Sequence, residues 1–332
     1  MYTPYPMRLK PVIKDYLWGG IKLKTEFGKE GAEPLAESWE VSCHKDGPSE
    51  IDNGIYAGKT LAAFIKNEPS SLGTRAKRFA DFPMLVKLID SREDLSVQVH
   101  PNDAFALRNE KQYGKTECWY IVSAEPGAGI YYGFNRNVTR DEVKQAIAEN
   151  RILELLNFVK VNPGEMYFLT AGTIHAIGKG VTLCEVQQNS NLTYRVYDYN
   201  RIGLDGKPRE LHVEKAMAVA NFSKQEVTGQ NGIFSCEKNG NIITHMAHDK
   251  YFSVYELRFK REMRMTMNER SFNSVTFIRG TGEITCGGVT EKFKPGDSFF
   301  IPCPAAEYII KGTGTALMCK LEGDNMHKTF DK

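Results

Sequence analysis

The chain has 332 residues, 41% hydrophobic and 25% charged, which suits two globular domains with proper cores. Its 43 Lys and Arg nearly balance 41 Asp and Glu, a net charge of +2, and no run of like charge points to nucleic acid or an anionic membrane as a partner. No stretch reaches the roughly 18 apolar residues of a membrane-spanning helix, the start at Met1-Tyr2-Thr3-Pro4-Tyr5-Pro6 lacks the basic and apolar segments of a signal peptide, and seven cysteines without a C-x-x-C pair point to a reducing cytoplasm.

In chain order, Lys59 to Lys66 reads as a short helix, and Met84-Leu85-Val86 as a strand. A second short helix is expected over Asp103 to Asn109, then a strand at Trp119-Tyr120-Ile121-Val122. Thr139 to Asn150 reads as a helix because Thr139 and Glu142 make a capping box and Val143, Ala146 and Ile147 follow at helical spacing. Glu210 to Asn221 is the last expected helix. Strands are expected at Met166-Tyr167-Phe168-Leu169 and Ser298-Phe299-Phe300-Ile301.

The segment Pro163-Gly164-Glu165-Met166-Tyr167-Phe168-Leu169 returns 132 residues later as Pro295-Gly296-Asp297-Ser298-Phe299-Phe300-Ile301. Each copy is a turn that launches a strand. Each follows a segment of strand–Gly–strand character, Ile121 to Tyr131 and Val275 to Ile284. A period this long marks a duplicated domain. The expected fold is mainly β, with two cupin-like β-barrels (jelly rolls) and a few short helices. Residues 1–222 would form the metal-binding catalytic domain and 223–332 a degenerate domain without metal. The counterpart of His175 in the second copy is Glu307, and no H-x-H or Q-x-H precedes it.

Three short segments carry the chemistry. In Ser96-Val97-Gln98-Val99-His100-Pro101, Gln98 and His100 are two apart on a strand. They share a face with Cα atoms about 7 Å apart, close enough to converge on one ion. Glu117 enters the next strand, and His175 lies at the far end of a buried one. Two imidazoles and a carboxylate are a common zinc set, with the Gln98 oxygen as a further ligand. Singly, each residue reads as an ordinary core or surface side chain. Their joint occurrence, with His175 after the P-G-E-x-Y-F-L turn, is what carries the metal reading. The histidines at 44, 212, 245, 248 and 327 lack such context and are not read as ligands.

The stretch from Leu183 to Arg201 is polar for its setting. If it stays extended, Thr193, Arg195, Tyr197, Tyr199 and Arg201 share one face. Two guanidiniums and two phenols suit a phosphorylated sugar. By composition alone the same face reads as a solvated edge strand.

Four ordered motifs, Gln98 to Asp103, Lys115 to Tyr120, Ala171 to Ala176 and Thr193 to Arg201, resemble the type I phosphomannose isomerases in their short bacterial form. Thr170 departs from the proline often found there, and the chain is short for the helical insertion of longer relatives. The resemblance implies one zinc ion per chain held by Gln98, His100, Glu117 and His175. It implies interconversion of mannose 6-phosphate and fructose 6-phosphate through an enediol. Arg195 falls on the active-site arginine and Glu185 on an acidic position of the pocket. Lys87, Lys115 and Arg201 fall on basic positions of the same cleft. Glu185 and Lys115 are the candidate proton shuttles, while Lys87 and Arg201 would meet the phosphate. A metal-cupin oxygenase and a non-catalytic sugar-binding cupin are the alternative readings.

Overall fold

The structure is a computed structural model that describes residues 3–203, 206–227 and 229–322. His327 lies outside them. The described strands form three antiparallel sheets of ten, six and five strands. No described helix is long and apolar enough to cross a membrane.

The six-stranded sheet runs in the order Met166–Leu169, Glu117–Ala124, Val181–Gln188, Met84–Ser91, Glu37–Val41, Val12–Lys14. Its central strands, Met84–Ser91 and Val181–Gln188, are buried at every position. One face packs Ile89, Trp119, Ile121 and Leu183 against Ile130 and Ile177 of the five-stranded sheet. The other face packs Val86, Leu88, Cys184 and Val186 against Val254, Phe300, Leu317 and Cys319 of the ten-stranded sheet. Strands covered on both sides read as near-continuous apolar runs, so a charged residue within one stands out.

The five-stranded sheet has the order Tyr194–Tyr197, Val97–Val99, His175–Ile177, Gly129–Phe134, Leu156–Lys160. Facing sheets of this kind give the jelly roll expected of a cupin. The expected helices appear at Leu61–Asn67, Asp103–Asn109, Arg140–Ala148 and Val213–Val219. Thr139 and Glu142 form the capping box of the third.

The repeat is visible as a duplicated hydrogen-bond pattern. Gly164 N donates to Ile121 O (2.8 Å) and Ile121 N to Glu165 O (2.9 Å); Gly296 N donates to Phe277 O (2.7 Å) and Phe277 N to Asp297 O (2.9 Å). Both turn glycines have positive φ, +92° and +89°, which an L side chain disfavours. The second copy differs after that. Val275 to Ile284 lies within one long strand, Asn273–Cys286, with Gly280 at a φ of +85°, where a β-carbon would run into the Thr313 carbonyl. Glu307, the counterpart of His175, is exposed and pairs with Arg264 at 2.6 Å.

The chain's first strand, Met7–Lys10, pairs with Ser298–Ile301 of the ten-stranded sheet. A buried ion pair secures this junction. Glu40, with no exposed surface, is the extra residue of a bulge in Glu37–Val41. Its carboxylate accepts from Ser38 Oγ at 2.6 Å and Ser298 Oγ at 2.9 Å and pairs with Lys29 Nζ at 2.6 Å. Lys29 also donates to Gly296 O at 2.6 Å. Removing one partner of such a pair leaves a buried charge uncompensated, at a cost of about 3–5 kcal/mol. Glu40→Gln is therefore expected to lower unfolding free energy by about that much, read from the urea midpoint.

Candidate metal centre

Backbone register brings the separated motifs together. On the five-stranded sheet, Gln98 lies opposite His175 on one side and Arg195 on the other. On the facing sheet, Glu185 lies opposite Trp119 and Lys87, and Lys87 opposite Trp39. Glu117 sits two residues before Trp119 and shares its face. Two ladder rows thus aim their polar side chains into one interior.

His100, Glu117 and His175 each offer an atom within 4.8 Å of the others, and all three are buried. His175 Nε2 lies 3.2 Å from Glu117 Oε1, and His100 Nε2 3.8 Å from it. The other nitrogens are committed: His100 Nδ1 donates to Leu192 O (2.8 Å) and His175 Nδ1 to Thr173 O (2.9 Å). A carbonyl only accepts, so in the neutral ring Nε2 carries the lone pair, as metal-bound imidazoles need; Lys115 Nζ lies 3.4 Å from that of His100. Burial, with the Lys115 charge beside it, holds His100 well below the usual imidazole range, so it is neutral. Gln98 Nε2 faces His175 Nε2 at 3.4 Å. Turning the amide end for end would present its oxygen instead.

The carboxylates test whether an ion fits. Lys115 Nζ is 2.6 Å from Glu117 Oε2 and 3.6 Å from Glu185 Oε1. Even so, both Glu117 oxygens and Glu185 Oε1 receive no hydrogen bond of proper geometry. Three buried carboxylates, Glu37, Glu117 and Glu185, face only two ammoniums, Lys87 and Lys115. A net negative interior with orphaned carboxylate oxygens and two imidazoles turned by their Nε2 atoms toward one carboxylate suits a divalent cation. Desolvation would raise Glu117, but the Lys115 ammonium beside it holds it well below the usual carboxylate range. Glu185 is pushed up by burial and by the Glu117 charge.

Lys87 is not a free cation. It is buried between Glu37 (3.4 Å) and Glu185 (3.3 Å), over the Trp39 ring. Trp119 Nε1 donates to Glu185 Oε2 at 2.9 Å. Arg195 donates to Glu210 O at 3.0 Å through Nη1, and its Nε has no partner. The extended face expected up to Arg201 stops at Tyr197. Tyr199 and Asn200 adopt φ of +55° and +54°, and Arg201 N bonds back to Asp198 O. Arg201 thus folds over Asp198 and pairs with it at 2.5 Å. Asp198 also holds Arg209, with Nε at 2.7 Å, a residue the sequence reading missed. The signal was an arginine near the expected helix start at Glu210, with no local partner.

A cavity of about 350 Å³ opens beside these arginines, lined by Tyr16, Trp18, Arg201 and Arg209. A larger one of about 1650 Å³, lined by residues such as His44, Phe79 and Lys111, holds none of the clustered groups.

Jelly-roll sheets enclosing a His–Glu–His cluster define a cupin with a buried polar centre. Residues 7–123 match the model of the phosphomannose isomerase type I catalytic domain, and residues 241–320 that of the mannose-6-phosphate isomerase cupin domain. YvyI of Bacillus subtilis is 38% identical over 319 residues, covering 95% of this chain and 99% of its own. The mannose-6-phosphate isomerase ManA of the same organism is 35% identical over 322 residues, 96% of this chain and 100% of its own. The crystal structure of a Bacillus subtilis mannose 6-phosphate isomerase superposes with a TM-score of 0.87 at 37% identity, covering 95% of this chain and 99% of that one. The chain belongs to the type I phosphomannose isomerase family and is an isomerase.

If the cluster holds an ion, His175→Ala removes one of its two imidazoles. After dialysis against metal-free buffer, this variant is expected to retain far less zinc than the parent, measured by elemental analysis. Gln98→Ala, losing a neutral oxygen at most, should retain more than His175→Ala.

Proposed function

We propose that the chain is a zinc-dependent isomerase that interconverts mannose 6-phosphate and fructose 6-phosphate through an enediol, with one catalytic ion per chain. The observation that carries this reading is the continuous chain of buried charges Glu117–Lys115–Glu185–Lys87–Glu37 beside two imidazoles whose Nε2 atoms face Glu117. His100, Glu117 and His175 would hold the ion, with Gln98 able to add its oxygen. Bound there, zinc would act as a Lewis acid on the sugar's carbonyl and neighbouring hydroxyl oxygens.

Isomerisation moves a proton between adjacent carbons, so one group must take it and return it. Glu185 suits that role. Trp119 and Lys87 fix its carboxylate, and Oε1 has no well-aimed donor. Lys115 bridges Glu117 and Glu185 and can supply a proton to a sugar oxygen. Lys87 acts here by orienting Glu185 rather than by meeting phosphate. The phosphate falls to the arginines. Arg201 and Arg209 share one carboxylate, Asp198, which leaves a unit of positive charge for a dianion. Arg195, opposite Gln98 in the ladder, lies between this charge and the metal cluster in the reading proposed, and steadies the negative charge of the enediolate. The reducing cytoplasm is its setting.

A coupled assay of mannose 6-phosphate conversion tests the whole. Activity is expected to vanish on chelation and return with zinc. Zinc-loaded protein that turns over no mannose 6-phosphate would sink the proposal. Glu185→Gln should lower kcat by about 10²–10⁴, the usual share of general acid–base catalysis. Arg209→Ala should chiefly raise KM for the sugar phosphate.

A further inference from the structure

A second group of ligand-type side chains stands on the ten-stranded sheet. One atom each from His245, His248 and Glu322 lies within 4.8 Å of the others. Histidines three apart on a regular strand would face opposite ways. A bulge in Asn241–His248 removes that obstacle. His245 lies opposite Tyr255, Ala247 opposite Val254 and His248 opposite Ser253, so Met246 is the extra residue. Two ladder steps separate the histidines, and both take the face of Tyr255 and Ser253. Ser253 in turn lies opposite Lys320, and Glu322, two residues on, comes to the same face.

Each side chain is held by a second partner. His245 Nε2 donates to Ala247 O at 3.1 Å, leaving Nδ1 its lone pair. His245 also stacks on Tyr255, ring centres 4.8 Å apart. His248 Nδ1 meets Ser253 Oγ at 2.7 Å; when the hydroxyl accepts, Nε2 keeps its lone pair. Such outer hydrogen bonds orient metal-bound imidazoles. Glu322 accepts from the Tyr255 hydroxyl at 2.6 Å, and Lys320 Nζ lies 2.7 Å from its other oxygen. The same Lys-x-Glu arrangement occurs at the first cluster, where Lys115 lies 2.6 Å from Glu117. His245 and Glu322 are buried and His248 is half-buried.

We propose that His245, His248 and Glu322 form a second divalent-cation site of zinc type. An ion there would clip Glu322, just past Glu307–Lys320, to the strand Asn241–His248. Two imidazoles and one carboxylate favour zinc over magnesium or calcium, which prefer all-oxygen shells. Lys320 competes with the ion for Glu322, and its side chain, 25% exposed, can swing to solvent to release it.

The test is zinc stoichiometry of the full chain at saturation, by equilibrium dialysis. The double variant His245→Asn/His248→Asn is expected to bind one ion fewer than the parent, with isomerase activity unchanged. Equal stoichiometry in the two overturns the proposal. The reading is a difference of one ion between matched chains, so it stands apart from whether the first cluster holds zinc. If the double variant loses its native circular dichroism, Lys320→Met asks the same question. Removing the competing ammonium should tighten the second ion by about tenfold or more; an unchanged dissociation constant overturns the proposal.

Discussion

Glu117 has no exposed surface, and neither of its oxygens receives a well-aimed hydrogen bond. A carboxylate in that position is costly to keep charged unless positive charge is fixed around it. Lys115 supplies part of that charge at 2.6 Å. His100 and His175 commit their Nδ1 atoms to backbone carbonyls and turn their Nε2 atoms toward the carboxylate. A cation between the three would satisfy the carboxylate and both Nε2 atoms together. The rest of the interior follows from this need, because every further charge must be balanced against Glu117. Glu185 is balanced by Lys87 and Lys115, and Lys87 in turn by Glu37.

What holds these groups at fixed separations is strand register more than side-chain contact. The row Trp119–Glu185–Lys87–Trp39 crosses four strands, and the row Tyr132–His175–Gln98–Arg195 crosses four strands of the facing sheet. A slip of one residue in any pairing would turn the polar member of its row to the opposite face. The site is thus as precise as the two ladders at Gln98, Glu117, His175 and Glu185, while His100 follows the end of Val97–Val99 and Lys115 precedes the start of Glu117–Ala124.

Much of this was legible in the sequence because the signals were local. The Q-x-H pair, the capping box at Thr139 and the P-G turns each lie within a few residues, and each occurs where it was expected. Lys87 was expected at the phosphate; its partners, Glu37 and Glu185, are far away in sequence and meet it only across strands, so its burial between them was not legible. Arg201 was placed on an extended face because nothing in Tyr199-Asn200 announces two successive left-handed residues. Asp198 and Arg209 were overlooked for the same reason, since that turn is what brings them together. His245 and His248 were set aside because a bulge is a property of strand pairing and leaves no reliable mark on one strand alone.

The duplicated turn raises the question of why, among the described residues, only the first half carries a His–Glu–His cluster between its sheets. The second half is filled differently. Phe259, Phe277, Phe293, Phe299 and Tyr308 close its interior, with Phe277 and Phe293 stacked at 3.6 Å between ring centres. Packing of that density leaves no room for a polar centre. It does give the ten-stranded sheet an outer face firm enough to cover Val86, Leu88, Cys118 and Val186. The six-stranded sheet can then afford charged residues on its inner face, because burial of its outer face offsets their desolvation. Glu40 sits at that junction, tying Lys29 and Ser298 to the strand that also bears Glu37 and Trp39. On this view the apolar second half is what makes the polar first half stable enough to keep.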